Sequence, residues 1–105
     1  MKILFDQGTP VPLRRYLRSH EVTTVYELDW STLQNGALLS KAEASGFDVL
    51  VTTDTSLKYQ QNLSGRKLAI VVLLSTSWPR IQAKAFVVAA LIGDATPGSY
   101  IEVEI

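Results

Sequence analysis

The sequence predicts an α/β fold, with a mainly parallel five-stranded sheet flanked by helices. Apolar, β-branched stretches alternate with helical patterns along 105 residues, and this order is typical of parallel sheets. The stretches that begin near Ile3, Val49 and Leu68 are apolar without alternation, as strands buried on both faces are. We therefore expect a central sheet that organises one domain over residues 1–105.

The composition narrows the class of protein. An apolar fraction of 47% and a charged fraction of 19% are typical of a globular protein. The formal net charge of zero gives no overall electrostatic attraction to nucleic acid, and the lack of cysteine excludes disulfides and thiol chemistry. No apolar run approaches the ~20 residues of a membrane span. We expect a cytoplasmic protein with no membrane partner.

Local signals place the individual elements. Strands are predicted over residues 2–5, 22–28, 48–53, 68–74 and 100–105. Helices are predicted over residues 10–19, 31–45, 54–62 and 79–92. Thr9 and Pro10 supply a cap and a first residue for the first helix, and Ser31 and Gln34 form a capping box for the second. We expect the strand over 68–74 beside the first strand, and the alternating last strand at an edge.

The helix predicted over 79–92 is apolar almost all round. Its apolar residues include Phe86, Val87, Val88, Leu91 and Ile92. One side of a small sheet cannot cover all of them, and exposed apolar surface of this kind marks an interface. The sequence therefore predicts a homo-oligomer, most simply a homodimer, or a protein partner.

Two acids follow predicted strands directly. Asp6 comes after the first strand and Asp54 after the third, so both are expected at the carboxyl edge of the sheet, where α/β proteins bind ligands. Two such carboxylates can hold Mg²⁺ or Mn²⁺, and the bound metal can activate water against a phosphodiester. Asn35, near the start of the second helix, is expected near the same edge, either facing the acids or as an ordinary polar residue.

A second interpretation starts from the same predicted strands and the same two acids. In a phospho-acceptor receiver, Asp54 would accept the phosphoryl group, Asp6 would bind Mg²⁺ and Thr76 would close the fourth strand. Such a site also needs a second acid beside the first and a lysine at the end of the fifth strand. Gln7 follows Asp6, and the last strand has no lysine, so this interpretation ranks below the nuclease.

Basic residues without nearby acids form the third candidate feature. Between Asp54 and Asp94 the sequence has no acid but has Lys58, Arg66 and Lys67, with two further basic residues beyond them. They are candidates to bind RNA phosphates on the same edge as the acids. The alternative is a set of scattered, solvated side chains.

The motifs Ile3-Leu-Phe-Asp6 and Val49-Leu-Val-Thr-Thr-Asp54, with a proline-containing helix start between them, resemble the small PIN-like proteins of the DUF5615 type. The resemblance covers essentially the whole chain. It implies a three-layer α/β fold and a relation to metal-dependent ribonucleases, including toxins of toxin–antitoxin pairs. It also implies a Mg²⁺ or Mn²⁺ cofactor, an RNA substrate and an antitoxin protein as partner. Asp6 and Asp54 match the family's first and central metal-binding acids.

The sequence departs from that family at three other acidic positions. They are occupied here by Gln7, Asn35 and Ser56, which we expect to be neutral neighbours of the two acids. A divalent metal needs several anionic ligands, so the resemblance implies weak metal binding and weakened or lost endoribonuclease activity. The alternative is a non-catalytic PIN-like module that binds other proteins.

Overall fold

The computed structural model describes residues 1–60 and 62–105 and leaves out the side chain of Gln60; Gln61, in the helix predicted over 54–62, lies outside the described residues. Five strands form one sheet; they are β1 (Lys2–Phe5), β2 (Glu21–Thr24), β3 (Val49–Thr52), β4 (Ala69–Leu73) and β5 (Tyr100–Val103). Every neighbouring pair is parallel, and the order is β2-β1-β3-β4-β5. This confirms the predicted α/β class and the edge position of β5.

One strand position was wrong. We expected β4 beside β1, but β4 pairs with β3 on one side and β5 on the other. The prediction treated the most apolar strand as the neighbour of the first. All residues of β3 and β4 are buried, so apolarity could not tell which of them lies beside β1.

Helices cover both faces of the sheet. They are a 3-10 helix (Val11–Tyr16), α1 (Asn35–Ala44), α2 (Leu57–Gln60), α3 (Trp78–Gln82) and α4 (Ala85–Gly93). The 3-10 helix, α3 and α4 pack on one face through Leu13, Ile81 and Val88. Helices α1 and α2 pack on the other face through Leu39 and Leu57. The three layers follow from strands that are apolar on both faces.

Several helix boundaries differ from the predictions. The capping box at Ser31 and Gln34 does not form: α1 begins at Asn35, with Gln34 at its N-cap and no side-chain cap hydrogen bond. Thr9 does not cap the first helix either, because its hydroxyl donates to the carbonyl oxygen of Val51 at 3.0 Å. The helix predicted over 79–92 is divided into α3 and α4.

The apolar helix α4 is only half covered. Val88 and Ile92 are fully buried, whereas Phe86, Val87 and Leu91 are exposed to 81%, 61% and 36%. The expected surplus of apolar surface is therefore present on the outer side of α4, and the oligomer inferred from it stays a prediction. Among the described residues, no helix has the length and apolarity needed to cross a membrane.

Candidate functional site

The two acids lie at the carboxyl edge of the sheet and are linked by one threonine. The backbone amide of Asp6 donates to the carbonyl of Val51 at 2.9 Å, which continues the pairing of β1 with β3 and sets Asp6 opposite Thr52. The Thr52 hydroxyl donates to Asp6 Oδ2 at 2.7 Å and accepts from the Asp54 backbone amide at 3.1 Å. Thr52 is fully buried, so this link is fixed within the sheet.

Neutral hydrogen-bond donors surround Asp54. Asn35 is the first residue of α1, and its Nδ2 donates to Asp54 Oδ2 at 3.2 Å. Ser56 donates to Asp54 Oδ1 through its backbone amide at 2.9 Å and its hydroxyl at 2.7 Å. Two of the three expected neutral neighbours therefore contact an acid through their side chains.

The third expected neighbour, Gln7, contacts an acid differently. Its backbone amide donates to Asp6 Oδ1 at 2.8 Å, while its side chain is exposed. A tight loop produces this geometry: the Thr9 amide donates to the Asp6 carbonyl at 3.1 Å, and Gly8 between them has a φ of +89°. A Cβ at Gly8 would lie 2.8 Å from the Thr53 hydroxyl, so the loop approaches the edge of β3 closely.

The environment shifts the pKa values of the two acids in opposite directions. Burial raises the pKa of Asp6, and the nearby Asp54 charge adds to this, although hydrogen bonds from Thr52 and Gln7 oppose it. Hydrogen bonds from the Ser56 hydroxyl and amide and from Asn35 lower the pKa of Asp54 despite its partial burial. Asp54 is therefore the more firmly ionised carboxylate of the pair.

Two of the three predicted RNA-binding residues do not share this edge. Arg66 and Lys67 immediately precede β4 and so lie at the amino edge, opposite the acids; Lys67 lines a cleft there with Met1 and Asp48. The expectation of a shared edge is wrong for these two residues, because a residue just before a parallel strand lies at the end opposite a residue just after one.

Two of the three basic side chains also have protein partners. Arg66 forms an ion pair with Glu43 at 2.9 Å. Lys58 follows β3 but forms an ion pair with Glu102 of β5 at 3.1 Å, and its ammonium lies 5.1 Å from the centroid of the Tyr59 ring. These contacts give Lys58 and Arg66 structural partners, and whether any of the three binds RNA stays a prediction.

Sequence reasoning missed Thr52 as a member of the site. The sequence offered one signal, the position of Thr52 two residues before Asp54 at the end of a strand; the pairing of β1 with β3, which sets Thr52 opposite Asp6, comes from the structure. A second missed feature is a cleft that contains Arg15, Arg18 and aromatic rings on the other face of the sheet.

Among residues 1–60 and 62–105, no group of three or more His, Asp and Glu side chains lies close enough to hold a metal ion. Comparisons of the chain with protein-family models, with curated proteins and with solved structures found no significant match.

Proposed function

We propose that the protein is a PIN-like, metal-assisted ribonuclease with slow catalysis, and that Asp6 and Asp54 form its reactive site. The observation that carries the proposal is the hydrogen-bonded unit of Asp6, Thr52 and Asp54 at the carboxyl edge of the sheet. Parallel α/β proteins bind their ligands at this edge of the sheet. The opposite pKa shifts of the two acids are also typical of reactive carboxylate pairs.

The carboxylate oxygens of Asp6 and Asp54 are suited to bind a cation weakly. Ser56 donates twice to Asp54 Oδ1, whereas Asp54 Oδ2 and both oxygens of Asp6 each accept a single hydrogen bond from the residues described above. A carboxylate oxygen has two lone-pair directions, so these three oxygens keep one for a further ligand. Mg²⁺ is commonly held by one or two carboxylates together with waters and substrate phosphates. Asp6 and Asp54 would hold such an ion.

The chain's own groups have separate roles in this proposal. Asp54 stays ionised and is oriented by Asn35 and Ser56. Asp6 is held by Thr52 in a partly buried position where it can take up or release a proton. A bound divalent cation supplies activation of water and neutralisation of phosphate charge. We expect cleavage of single-stranded RNA to be slow with Mn²⁺ and to vanish in Asp6→Asn and in Asp54→Asn.

The decisive experiment adds anions at the two positions where a side chain already contacts Asp54. Asn35→Asp combined with Ser56→Asp should tighten Mn²⁺ binding at least about tenfold by calorimetry, because each added carboxylate faces the existing pair. Asn62→Asp is the matched control, since it makes the same amide-to-acid change in an exposed loop. Equal Mn²⁺ affinity in the wild type, the control and a folded double variant would contradict the proposed metal site.

The alternative function is a non-catalytic module that binds another protein, either a second copy or a partner of the antitoxin type. The exposed side chains Val87 and Leu91, which are neighbours on the outer face of α4, favour it. If the partner is a second copy, sedimentation at micromolar concentration will show a species larger than 11.6 kDa. Val87→Gln with Leu91→Gln would then convert it to the monomer without loss of folding.

A further inference from the structure

A cleft on the outer surface of the 3-10 helix and α3 combines cations with aromatic rings; we call it the aromatic cleft. It has a volume of about 540 Å³ and is lined by Arg15, Arg18, Tyr16, Trp78 and Phe86, with two neutral polar side chains between them. Tyr16, Trp78 and the core residues under them belong to the face of the sheet opposite α1. The aromatic cleft is therefore a separate site from the two acids.

The rings of the aromatic cleft form one connected group. Tyr16 contacts Trp78 with ring centroids 6.3 Å apart and contacts Phe86 edge to face at 5.2 Å. Phe86 is exposed to 81%, so most of its ring is open to solvent. A fixed aromatic group with an open ring provides a surface on which a planar ligand can stack.

The charges of the aromatic cleft are all positive. Arg15 and Arg18 are exposed, and within the described residues neither makes a hydrogen bond or an ion pair, in contrast to Arg14, which pairs with Glu27. None of the described residues that line the cleft is acidic. Two guanidinium groups without a carboxylate favour an anionic ligand, and guanidinium geometry suits phosphate oxygens.

We propose that the aromatic cleft binds single-stranded RNA, with a base stacked on Phe86 and the adjoining phosphates held by Arg15 and Arg18. Proteins that bind single strands combine these two features, a positive groove and stacking rings. The volume of the cleft, about 540 Å³, lies within the range of roughly 300–1,000 Å³ that is usual for small-ligand pockets. RNA binding here does not depend on the acids at the sheet edge.

Fluorescence anisotropy with a labelled uridine decamer tests the proposal, in EDTA so that neither a divalent ion nor cleavage is involved. Phe86→Ala should weaken binding at least about fivefold, the lower end of the contribution of one stacked base. The matched control is Val87→Ala, which shortens the neighbouring exposed side chain of α4 and should leave affinity unchanged. Equal affinity in wild type and Phe86→Ala would overturn the stacking site.

The salt dependence tests the arginines. Arg15→Gln with Arg18→Gln should make the slope of log affinity against log salt shallower by about 1.4, since each phosphate contact on a single strand contributes about 0.7. Lys41→Gln removes a cation from α1, on the opposite face of the sheet, and should leave the slope unchanged. A slope that is unchanged in Arg15→Gln with Arg18→Gln, or that is altered as much in Lys41→Gln, would overturn the proposal.

Two other occupants would be detected in the same experiments. Uridine monophosphate that binds as tightly as the decamer would show a nucleotide site in place of a strand-binding one. A dimer that is lost in Phe86→Ala, with no RNA binding at any salt concentration, would show that a second copy covers the cleft. Each of these outcomes contradicts the proposal, and neither affects the metal experiment at Asp6 and Asp54.

Discussion

Replacing Thr52 by valine removes the link between the two acids while preserving the shape of the side chain. The hydroxyl donates to Asp6 Oδ2 at 2.7 Å and accepts from the Asp54 amide at 3.1 Å, and the residue is fully buried. Leaving a buried donor or acceptor without its partner costs about 1–3 kcal/mol, and more for a charged group. Water reaches the partly exposed outer side of both acids and limits the loss. We expect Thr52→Val to reduce the free energy of unfolding by about 3 kcal/mol.

The matched variant is Thr52→Ser, which keeps the hydroxyl and loses one methyl group. Burial of a methyl or methylene group contributes about 1 kcal/mol, so the serine variant should be less destabilised than the valine variant. Urea unfolding at neutral pH, followed by circular dichroism, measures both. If Thr52→Val is as stable as wild type, or more stable than Thr52→Ser, the hydroxyl does not hold the acids and the argument for the linked site fails.

Three further predictions concern the site loop and the packing of α4. Because burial raises the pKa of Asp6 in the folded state, protonated Asp6 contributes stability that is present below the unfolded pKa and is lost as pH rises through the folded pKa. The stability of Asp6→Asn relative to wild type should therefore rise with pH across that interval, as urea unfolding can measure. Gly8→Ala should cost about 2 kcal/mol by thermal unfolding, because of the positive φ and the Cβ contact with the Thr53 hydroxyl. Val88→Ala, at a fully buried position, should cost about 2 kcal/mol, whereas Val87→Ala should change stability by less than about 0.5 kcal/mol.

β2, predicted over residues 22–28, ends at Thr24, but the three central strands were predictable from sequence because burial on both faces demands continuous apolar residues. That demand appears directly at Ile3, Val49 and Leu68, and it also determines where the strands end and the acids follow. The helix starts were less predictable, since they depend on hydrogen bonds between distant segments. Thr9, for example, has the residue type of a helix cap, but a nearby carbonyl of β3 competes for its hydroxyl.

To predict which edge of the sheet a residue lies at, one must know whether it precedes or follows its strand. Asp54 follows β3, whereas Arg66 and Lys67 precede β4, so in a parallel sheet they lie at opposite edges. The order of strands and flanking residues in the sequence is enough to show this, but residues that are near each other in sequence were assumed to share an edge. The aromatic cleft is different, because Tyr16 and Trp78 are far apart in sequence and meet only through the packing of their helices on one face.

The neutral residues around Asp54 explain how the site can be stable without a metal ion. Carboxylates at positions 35 and 56 would lie beside Asp54 and repel it unless a cation separated them. Asn35 and Ser56 instead donate hydrogen bonds to its two oxygens, and hydrogen bonds to an ionised acceptor are stronger than those between neutral groups. Neutral side chains at positions 35 and 56 therefore offer less negative charge to a cation than two carboxylates would, and they stabilise the ionised Asp54 through hydrogen bonds.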